Sequence, residues 1–182
     1  MSDYDLIVVG AGPGGYPAAI RGAQLGLRVA VVEKEKLGGV CLNWGCVPSK
    51  ALLKSAEMLH NIRNAKSYGI NVTNVEVDFA QVIKRSRKTS KRFGTGVKGL
   101  FKKYGVETLS GTARVSAADS VIVVGVDGKE NTYTAKHIVV ATGARALSFP
   151  GLEPDGKHIW TYREVITSTE CPESVVIVGA GA

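Results

Sequence analysis

Three glycines near the N-terminus constrain the fold more than any other feature of the chain. They form the pattern G-x-G-x-x-G at Gly10, Gly12 and Gly15, directly after the apolar run of residues 6–9. A helix-like segment follows, and then a second apolar run over residues 28–32. The order strand, glycine turn, helix and strand is typical of a β-α-β unit whose strands are buried in a parallel sheet.

An acidic residue completes this unit, because Glu33 stands at the end of the second strand. In such units the first glycine makes the turn, the second lets the backbone approach a pyrophosphate, and the third lets helix and strand pack closely. The helix N-terminus faces the phosphate charge, and the acid can bond a ribose hydroxyl. The arrangement therefore predicts a dinucleotide site rather than an ordinary glycine turn. Pro17 fits only the first helical turn, so we expect the regular helix to begin late.

Two cysteines, Cys41 and Cys46, lie five positions apart in the glycine-rich stretch 38–50. Pro48 suits the first turn of a helix that continues over residues 51–62. Cys46 is therefore expected at or near a helix N-terminus, where a thiolate is stabilised. If the two cysteines pair, their Cα atoms must lie about 4.4–6.8 Å apart, so the segment between them must be bent.

These cysteines have three interpretations. They form a structural disulfide (a staple), they are ligands of a metal site, or they are a redox pair. A staple around so small a loop would remove little chain entropy, which argues against a purely structural role. A zinc site needs four ligands. The other possible ligands are scattered along the chain, namely Cys171, His60, His137 and His158. No metal site is therefore predicted.

The net charge of +7 is concentrated in residues 84–103, which hold nine lysines and arginines and no acid. The rest of the chain has fourteen basic and sixteen acidic residues. Apolar residues near helical spacing predict an amphipathic helix here, with the cations on the opposite face; they are Phe79, Val82, Ile83, Phe93, Val97, Leu100, Phe101 and Tyr104. A solvated face is the simplest interpretation, and docking to an acidic partner is the alternative. The segment does not interleave aromatic residues with its cations in the way that would support nucleic-acid binding.

The composition is that of a globular protein, with 45% apolar and 21% charged residues. No apolar run reaches the roughly 18 residues of a membrane span. The N-terminus carries acids before its apolar run and has no basic region, unlike a secretory signal. We therefore expect a cytoplasmic protein without membrane association, in which a disulfide is more often catalytic than structural.

The stretch 38–50 resembles the active-site segment of the FAD-dependent pyridine nucleotide–disulfide oxidoreductases. In the dihydrolipoamide dehydrogenase branch of that family the segment reads G-G-x-C-L-N-x-G-C-[IV]-P-[ST]-K, and this chain matches it with Val40 and Trp44 at the variable positions. Glutathione and thioredoxin reductases usually carry a lysine where this chain has Ser49. Mercuric reductases usually carry valine in place of Leu42, but they share the stretch GCVPSK and stay an alternative.

The resemblance extends over essentially the whole chain and implies a redox site. In the family, Cys41 would be the exchanging thiol, Cys46 would lie against the flavin, and Lys50 would stabilise negative charge there. The implied FAD-binding residues are Gly10, Gly12, Gly14, Gly15, Glu33, Lys34, Gly39, Val40, Cys41, Cys46, Lys50, Ala113, Thr142 and Gly143. The implied activity is oxidation of dihydrolipoamide on a lipoyl-bearing protein, with NAD as acceptor in an intact, homodimeric enzyme.

The middle of the chain agrees with that family's fold. Strand-like runs cover residues 106–115, 121–126 and 131–135, and Asp127-Gly128 is a hairpin signal between the last two. A further strand over residues 138–141 would return to the parallel sheet. The expectation is an α/β, Rossmann-like FAD-binding fold with a central parallel sheet, inserted helices and a small antiparallel β-meander.

A repeat near the C-terminus bears on domain organisation, because VVIVGAG at residues 175–181 repeats LIVVGAG at residues 6–12. The repeat resembles the start of a second nucleotide-binding fold. We therefore expect an FAD-binding domain over 1–145, a connection over 146–173, and the truncated start of an NAD-binding domain over 174–182. This predicts part of a longer enzyme, and the alternative is a catalytically inert nucleotide-binding module.

Overall fold

The computed structural model describes residues 2–179. Within them the strands are β1 (Tyr4–Val9), β2 (Val29–Glu33), β3 (Glu107–Ser110), β4 (Thr112–Ala117), β5 (Ser120–Val124) and β6 (Glu130–Val140). The helices are α1 (Tyr16–Gln24), α2 (Gly39–Asn43), α3 (Cys46–Arg63), α4 (Phe79–Tyr104) and α5 (Tyr162–Thr167), with a 3₁₀ turn at Ala65–Tyr68.

Strands β1 and β2 form the buried centre of a sheet with the order β3-β2-β1-β6-β5-β4. β1 pairs in parallel with both β2 and β6, and β2 pairs in parallel with β3. The side chains of Ile7, Val8 and Val31 are fully buried. Burial on both faces explains why these strands read as continuous apolar runs. The predicted central parallel sheet is confirmed.

Two different layers cover the faces of this sheet. Leu6 and Val8 of β1 point to one face, in a cluster that includes Phe101 of α4. Ile7 and Val9 point to the opposite face, in a second cluster that includes Val121 and Val123 of β5. The antiparallel meander of β4, β5 and β6 therefore folds back over the face of the sheet that the helices leave open.

Strand β6 belongs to both parts of the sheet. Residues 130–134 pair antiparallel with β5, and residues 135–140 pair in parallel with β1. The hairpin at Asp127-Gly128 and the β4-β5-β6 meander are as predicted. The prediction of separate strands over 131–135 and 138–141 is wrong, because one uninterrupted strand crosses from the meander into the parallel sheet.

Gly111 divides the run over residues 106–115, which we predicted as one strand. Its φ is +155°, and a Cβ there would overlap the backbone of Val124. Its amide donates to the carbonyl oxygen of Glu33 (3.0 Å), at the end of β2. β3 therefore ends in the parallel sheet, and β4 starts the meander one residue later.

Both helices with an early proline begin as predicted. Helix α1 starts at Tyr16 with Pro17 as its second residue, which is the late start that we expected. Helix α3 starts at Cys46, so Pro48 lies in its first turn. The missing amide hydrogen of a proline there removes no intrahelical bond.

Helix α4 forms over the basic segment as expected, but its buried face differs in part. Phe93 and Leu100 are 51% and 40% exposed, whereas Ser86 and Ser90 are buried. α4 packs against α3 and α2, and both serines belong to its buried face. α4 is the longest described helix, and none of the described helices is both long and apolar enough to cross a bilayer.

Residues 141–161 contain neither helix nor strand, and the same is true of residues 168–179. Val175, Val176, Ile177 and Val178 are exposed. Within residues 2–179 they form no strand and pair with none of the six strands of the sheet. Gly181, which completes the repeated motif, lies outside the described residues.

Candidate functional site

The glycine turn between β1 and α1 is fixed by backbone hydrogen bonds. The amide of Gly10 donates to the carbonyl oxygen of Val32 (2.8 Å), which ties the turn to the end of β2. The amide of Gly15 donates to the carbonyl oxygen of Gly12 (2.9 Å), and a Cβ at Gly15 would overlap the backbone of Gly10. Within residues 2–179, the amides of Gly12 and Gly14 donate to no protein acceptor. Two N–H groups of the turn therefore remain available to a ligand.

Glu33 braces this turn from the neighbouring strand. One oxygen of its carboxylate accepts a hydrogen bond from the amide of Ala11 (2.9 Å), and the other accepts from the amide of Glu35 (2.8 Å). Each carboxylate oxygen can accept two hydrogen bonds, so one position on each oxygen remains. Glu33 can therefore hold the turn and still bind a hydroxyl, a double role that its position in the sequence did not reveal.

Cys41 and Cys46 form a disulfide, with their Cα atoms 4.7 Å apart. Cys41 lies in α2, Cys46 is the first residue of α3, and Trp44 and Gly45 make the break between the two helices. A Cβ on Gly45 would lie 3.4 Å from the Cα of Cys41, which makes glycine the residue best suited to this bend. The Cys46 residue is exposed, and Cys41 is half-buried. The predicted bend and the predicted helix start at Cys46 are both confirmed.

The redox loop, by which we mean residues 38–46, is held from behind by two polar side chains. The amide group of Asn43 donates to the carbonyl oxygens of Leu37 (3.1 Å) and Gly39 (2.9 Å). The Arg87 guanidinium donates to the carbonyl oxygen of Asn43 and to the hydroxyl of Ser90. Burial lowers the pKa of Arg87. These hydrogen bonds connect α4 to the loop, and the basic composition of residues 84–103 concealed this role for Arg87.

Trp44 lies beside two cations, one near it in the sequence and one distant. The guanidinium carbon of Arg163 lies 4.1 Å from the centre of its ring, and the Lys36 ammonium lies 5.3 Å from it. Arg163 also pairs with Glu35 (3.0 Å). The contact brings α5 against the redox loop.

Helix α5 is short, and a capping box fixes its start. The amide and the hydroxyl of Thr161 both donate to one carboxylate oxygen of Glu164, at 2.7 and 2.6 Å. The hydroxyl hydrogen bond is the main reason why the pKa of the Glu164 carboxyl is lowered. The capping box holds the first turn of the helix in place, and that turn carries Arg163.

The glycine turn and the redox loop form two walls of one cleft of about 470 Å³. Most of the predicted site residues line it, namely Gly10, Gly12, Gly14, Glu33, Lys34, Gly39, Val40, Cys41, Cys46, Thr142 and Gly143. Sequence analysis assigned no role to Trp44, Tyr162 and Arg163, which also line it. The positions of Tyr162 and Arg163 depend on a fold-back of α5 that no local pattern encodes.

Three predicted residues lie elsewhere. Ala113 lines an adjoining cleft of about 370 Å³, which shares Gly10, Glu33 and Gly143 with the first. Gly15 is buried behind the turn, and Lys50 is exposed one turn into α3; neither lines a described wall of these clefts. Residues 2–179 hold no group of three or more histidine, cysteine or acidic side chains placed to bind a metal ion.

Comparisons with known proteins agree on one family. The sequence profile described as "Pyridine nucleotide-disulphide oxidoreductase" matches residues 4–182. A protein of Zymomonas mobilis named dihydrolipoyl dehydrogenase is 46% identical over all of this chain and 39% of its own length. One of the same name from Chlorobaculum tepidum is 48% identical, again over all of this chain and 39% of its own length. The chain thus spans about 39% of the length of these curated relatives.

A solved structure shares the fold. The crystal structure of LpdA from Mycobacterium tuberculosis superimposes with a TM-score of 0.83 over 91% of this chain and 37% of that one. The two sequences are 24% identical over that match.

Proposed function

We propose, because this chain belongs to the pyridine nucleotide–disulphide oxidoreductases, that its cleft binds FAD beside a cysteine pair that exchanges with a dithiol. One observation carries the proposal: the Cys41–Cys46 disulfide forms a wall of the same cleft as the glycine turn. A disulfide whose only role is structural has no need to face a nucleotide cleft.

The residues of the cleft fit a dinucleotide. The unpartnered amides of Gly12 and Gly14 at the start of α1 suit the negative charge of a pyrophosphate. Glu33 retains acceptor positions for a ribose, and Ala113 lines the adjoining cleft, where the adenine end would lie. Lys34, Gly39, Val40, Thr142 and Gly143 would complete the FAD contacts. Bound FAD would supply a two-electron acceptor for the reduced cysteine pair.

The cysteines would act by thiol–disulfide exchange. A thiolate of the substrate dithiol bonds to the sulfur of Cys41, the Cys41–Cys46 bond breaks, and Cys46 leaves as a thiolate. The second substrate thiol then displaces Cys41 and closes the substrate's own disulfide. Two electrons pass from the dithiol to the cysteine pair, and the two thiol protons pass to cysteine or solvent.

Helix α3 favours this division of roles. Cys46 is the first residue of the helix, where the N-terminal partial charge stabilises a thiolate leaving group. Lys50 lies one turn further along the same helix and adds a positive charge at that end. We therefore assign exchange to Cys41, electron delivery to Cys46, and charge stabilisation to Lys50.

The complete reaction that we propose is oxidation of dihydrolipoamide on a lipoyl-bearing protein, with NAD as final acceptor, in a homodimeric enzyme of the cytoplasm. The names of the relatives support the substrate. The proposed division is an FAD domain over 1–145, a connection over 146–173 and the start of an NAD domain over 174–182. The sheet supports the first boundary, because its last strand ends at Val140.

A second candidate is a nucleotide-binding module that does not turn over. It is favoured by the match to only 39% of the relatives' length. The visible spectrum of the purified chain, before and after one equivalent of dihydrolipoamide, separates the two. A flavin spectrum that gains a long-wavelength charge-transfer shoulder supports the proposal. A protein whose disulfide resists the dithiol contradicts it.

A further inference from the structure

Five of the six lysines of α4 form a stripe along one side of the helix. Lys84, Lys88, Lys91, Lys98 and Lys102 are all exposed. At about 100° per residue these positions fall within about 80° of one another around the helix. At about 1.5 Å per residue the stripe is about 27 Å long. It lies on the exposed side of α4 and follows the helix over most of its length.

This lysine stripe has no acidic counterpart in the described protein. Within residues 2–179, none of the nine cations of residues 84–103 forms an ion pair with a carboxylate. Arg85 and Arg87 are used internally, as donors to the carbonyl oxygens of Ala51 and Asn43. The charges of the five lysines are therefore available to a partner.

The stripe leads to the redox loop. A groove of about 540 Å³ lies at its middle, lined by Lys36, Lys91 and Lys98 and by no acidic residue. Asn43 and Trp44 form part of the groove wall. Trp44 and Lys36 also line the cleft that holds the disulfide, so the groove and that cleft share two side chains.

We infer that the lysine stripe docks an acidic surface of the protein that carries the dithiol substrate. The inference rests on the proposed function, since it assigns a partner to the same disulfide. Its length fits an extended acidic surface better than a compact anion, which would need only the cations of the groove. Docking along α4 raises the local concentration of the dithiol at the redox loop and speeds encounter by electrostatic steering.

Two matched peptides test the inference. Each carries one dihydrolipoyl-lysine and is long enough to follow the stripe; one has glutamates at alternate positions, and the other has glutamines there. The measured quantity is the ratio of their second-order rate constants for reduction of the Cys41–Cys46 disulfide. We expect a ratio on the order of 10 in favour of the glutamate peptide at low ionic strength. The ratio should approach 1 in about 1 M salt, where the Debye length is about 3 Å.

Variants place the effect on α4. The double variant Lys91→Glu/Lys98→Glu should bring the ratio to 1 or below, and Lys91→Gln/Lys98→Gln should give an intermediate value. The control Lys66→Glu/Lys129→Glu changes the net charge equally at exposed lysines outside the groove and should keep the ratio. Because each ratio is taken within one variant, a change in basal reactivity cancels.

Three outcomes would overturn the inference. The first is a ratio near 1 for the unaltered chain at low salt, and the second is an equal loss in the control variant. The third concerns an oligonucleotide with the same charge as the glutamate peptide. The inference fails if the unaltered chain binds this oligonucleotide more tightly than the peptide and the Lys91→Glu/Lys98→Glu variant no longer does. If free dihydrolipoamide reduces no variant, the proposed function fails instead. Binding of a dithiol-free glutamate peptide still tests the stripe in that case.

Discussion

Arg163 stacks on Trp44, with its guanidinium carbon 4.1 Å from the ring centre, although 118 positions separate the two residues. The contact joins α5 to the redox loop at one of the four residues between the two cysteines. We expect Arg163→Ala to lower the free energy of unfolding by about 1 kcal/mol, since the stack and the pair with Glu35 are both partly exposed. Denaturant unfolding with tryptophan fluorescence measures this.

Arg163→Lys is the matched variant, because lysine keeps the charge opposite Glu35 but loses the planar stack. Arg163→Lys should lower the free energy of unfolding by about half as much as Arg163→Ala does. Equal stability of the alanine and lysine variants would show that the planar stack on Trp44, rather than the charge, holds α5 in place.

The approach of Gly39 to Gly12 gives a second prediction. A Cβ on Gly39 would lie 2.7 Å from the Cα of Gly12, and its φ is +56°. Gly39→Ala should therefore lower the free energy of unfolding by about 3 kcal/mol, from backbone strain and overlap together. It should also separate the redox loop from the glycine turn and abolish flavin binding, as measured by flavin absorbance after gel filtration.

Gly69 provides the control for strain alone. Its φ is +78°, but a Cβ there would meet no atom within 4 Å. Gly69→Ala should lower the free energy of unfolding by only about 1 kcal/mol and leave flavin binding intact. Equal effects at the two glycines would mean that the Gly12–Gly39 contact is not tight in solution.

The third prediction separates the two cysteines. Cys46→Ser should leave Cys41 as a free reactive thiol and abolish the thiolate–flavin charge-transfer absorbance. Cys41→Ser is the matched variant and should keep that absorbance, because the thiolate of Cys46 remains at the N-terminus of α3. Visible spectroscopy of the flavin-loaded variants measures this. A shoulder that persisted in Cys46→Ser would reverse the assigned roles.

The fourth prediction concerns pH. The ion pair with Lys136 (2.8 Å), and next the hydrogen bond from the amide of Arg28, lower the pKa of Asp5 to about 2. Because this pKa lies below the unfolded value of about 3.9, Asp5 stabilises the fold above that value. The contribution is lost as pH falls from about 5 towards 2.

Asp5→Asn should therefore reduce stability at neutral pH and flatten the decline of stability in acid. Denaturant midpoints at a series of pH values measure both effects. Asp119→Asn, in the exposed turn between β4 and β5, is the control, since Asp119 forms no ion pair within residues 2–179. If the stability of Asp5→Asn declined in acid in the same way as that of the unaltered chain, Asp5 would not contribute to the acid sensitivity of the fold.

The parts of the fold that could be predicted are those with local causes. The β1-α1-β2 unit follows from apolar runs and glycines that are close in sequence. The start of α3 at Cys46 follows from Pro48, which can occupy only the first turn. Most of the cysteines, glycines and the acid that we expected at the site belong to this unit or to the segment directly after it. Local sequence was therefore enough to predict that they line the cleft.

The parts that sequence analysis missed depend on distant contacts. Residues 135–140 continue β6 because β1 is available as a partner, with Leu6 opposite His137. Arg87 reads as one more cation of a basic helix, and only the packing of α4 brings it to Asn43. Phe93 was expected in the core because it is apolar, but α4 leaves it exposed and buries Ser86 and Ser90.

The double pairing of β6 has a consequence for biosynthesis. β1 lies between β2 and β6, and β2 ends at residue 33, whereas β6 ends at residue 140. At roughly 5–20 residues per second, a ribosome takes about 5–20 s to make the intervening chain. During that time β1, whose residues 6–9 are all apolar, has one open edge, which is the hazard that binding by a chaperone relieves. The nascent chain should depend on such protection until β6 emerges, however stable the finished sheet is.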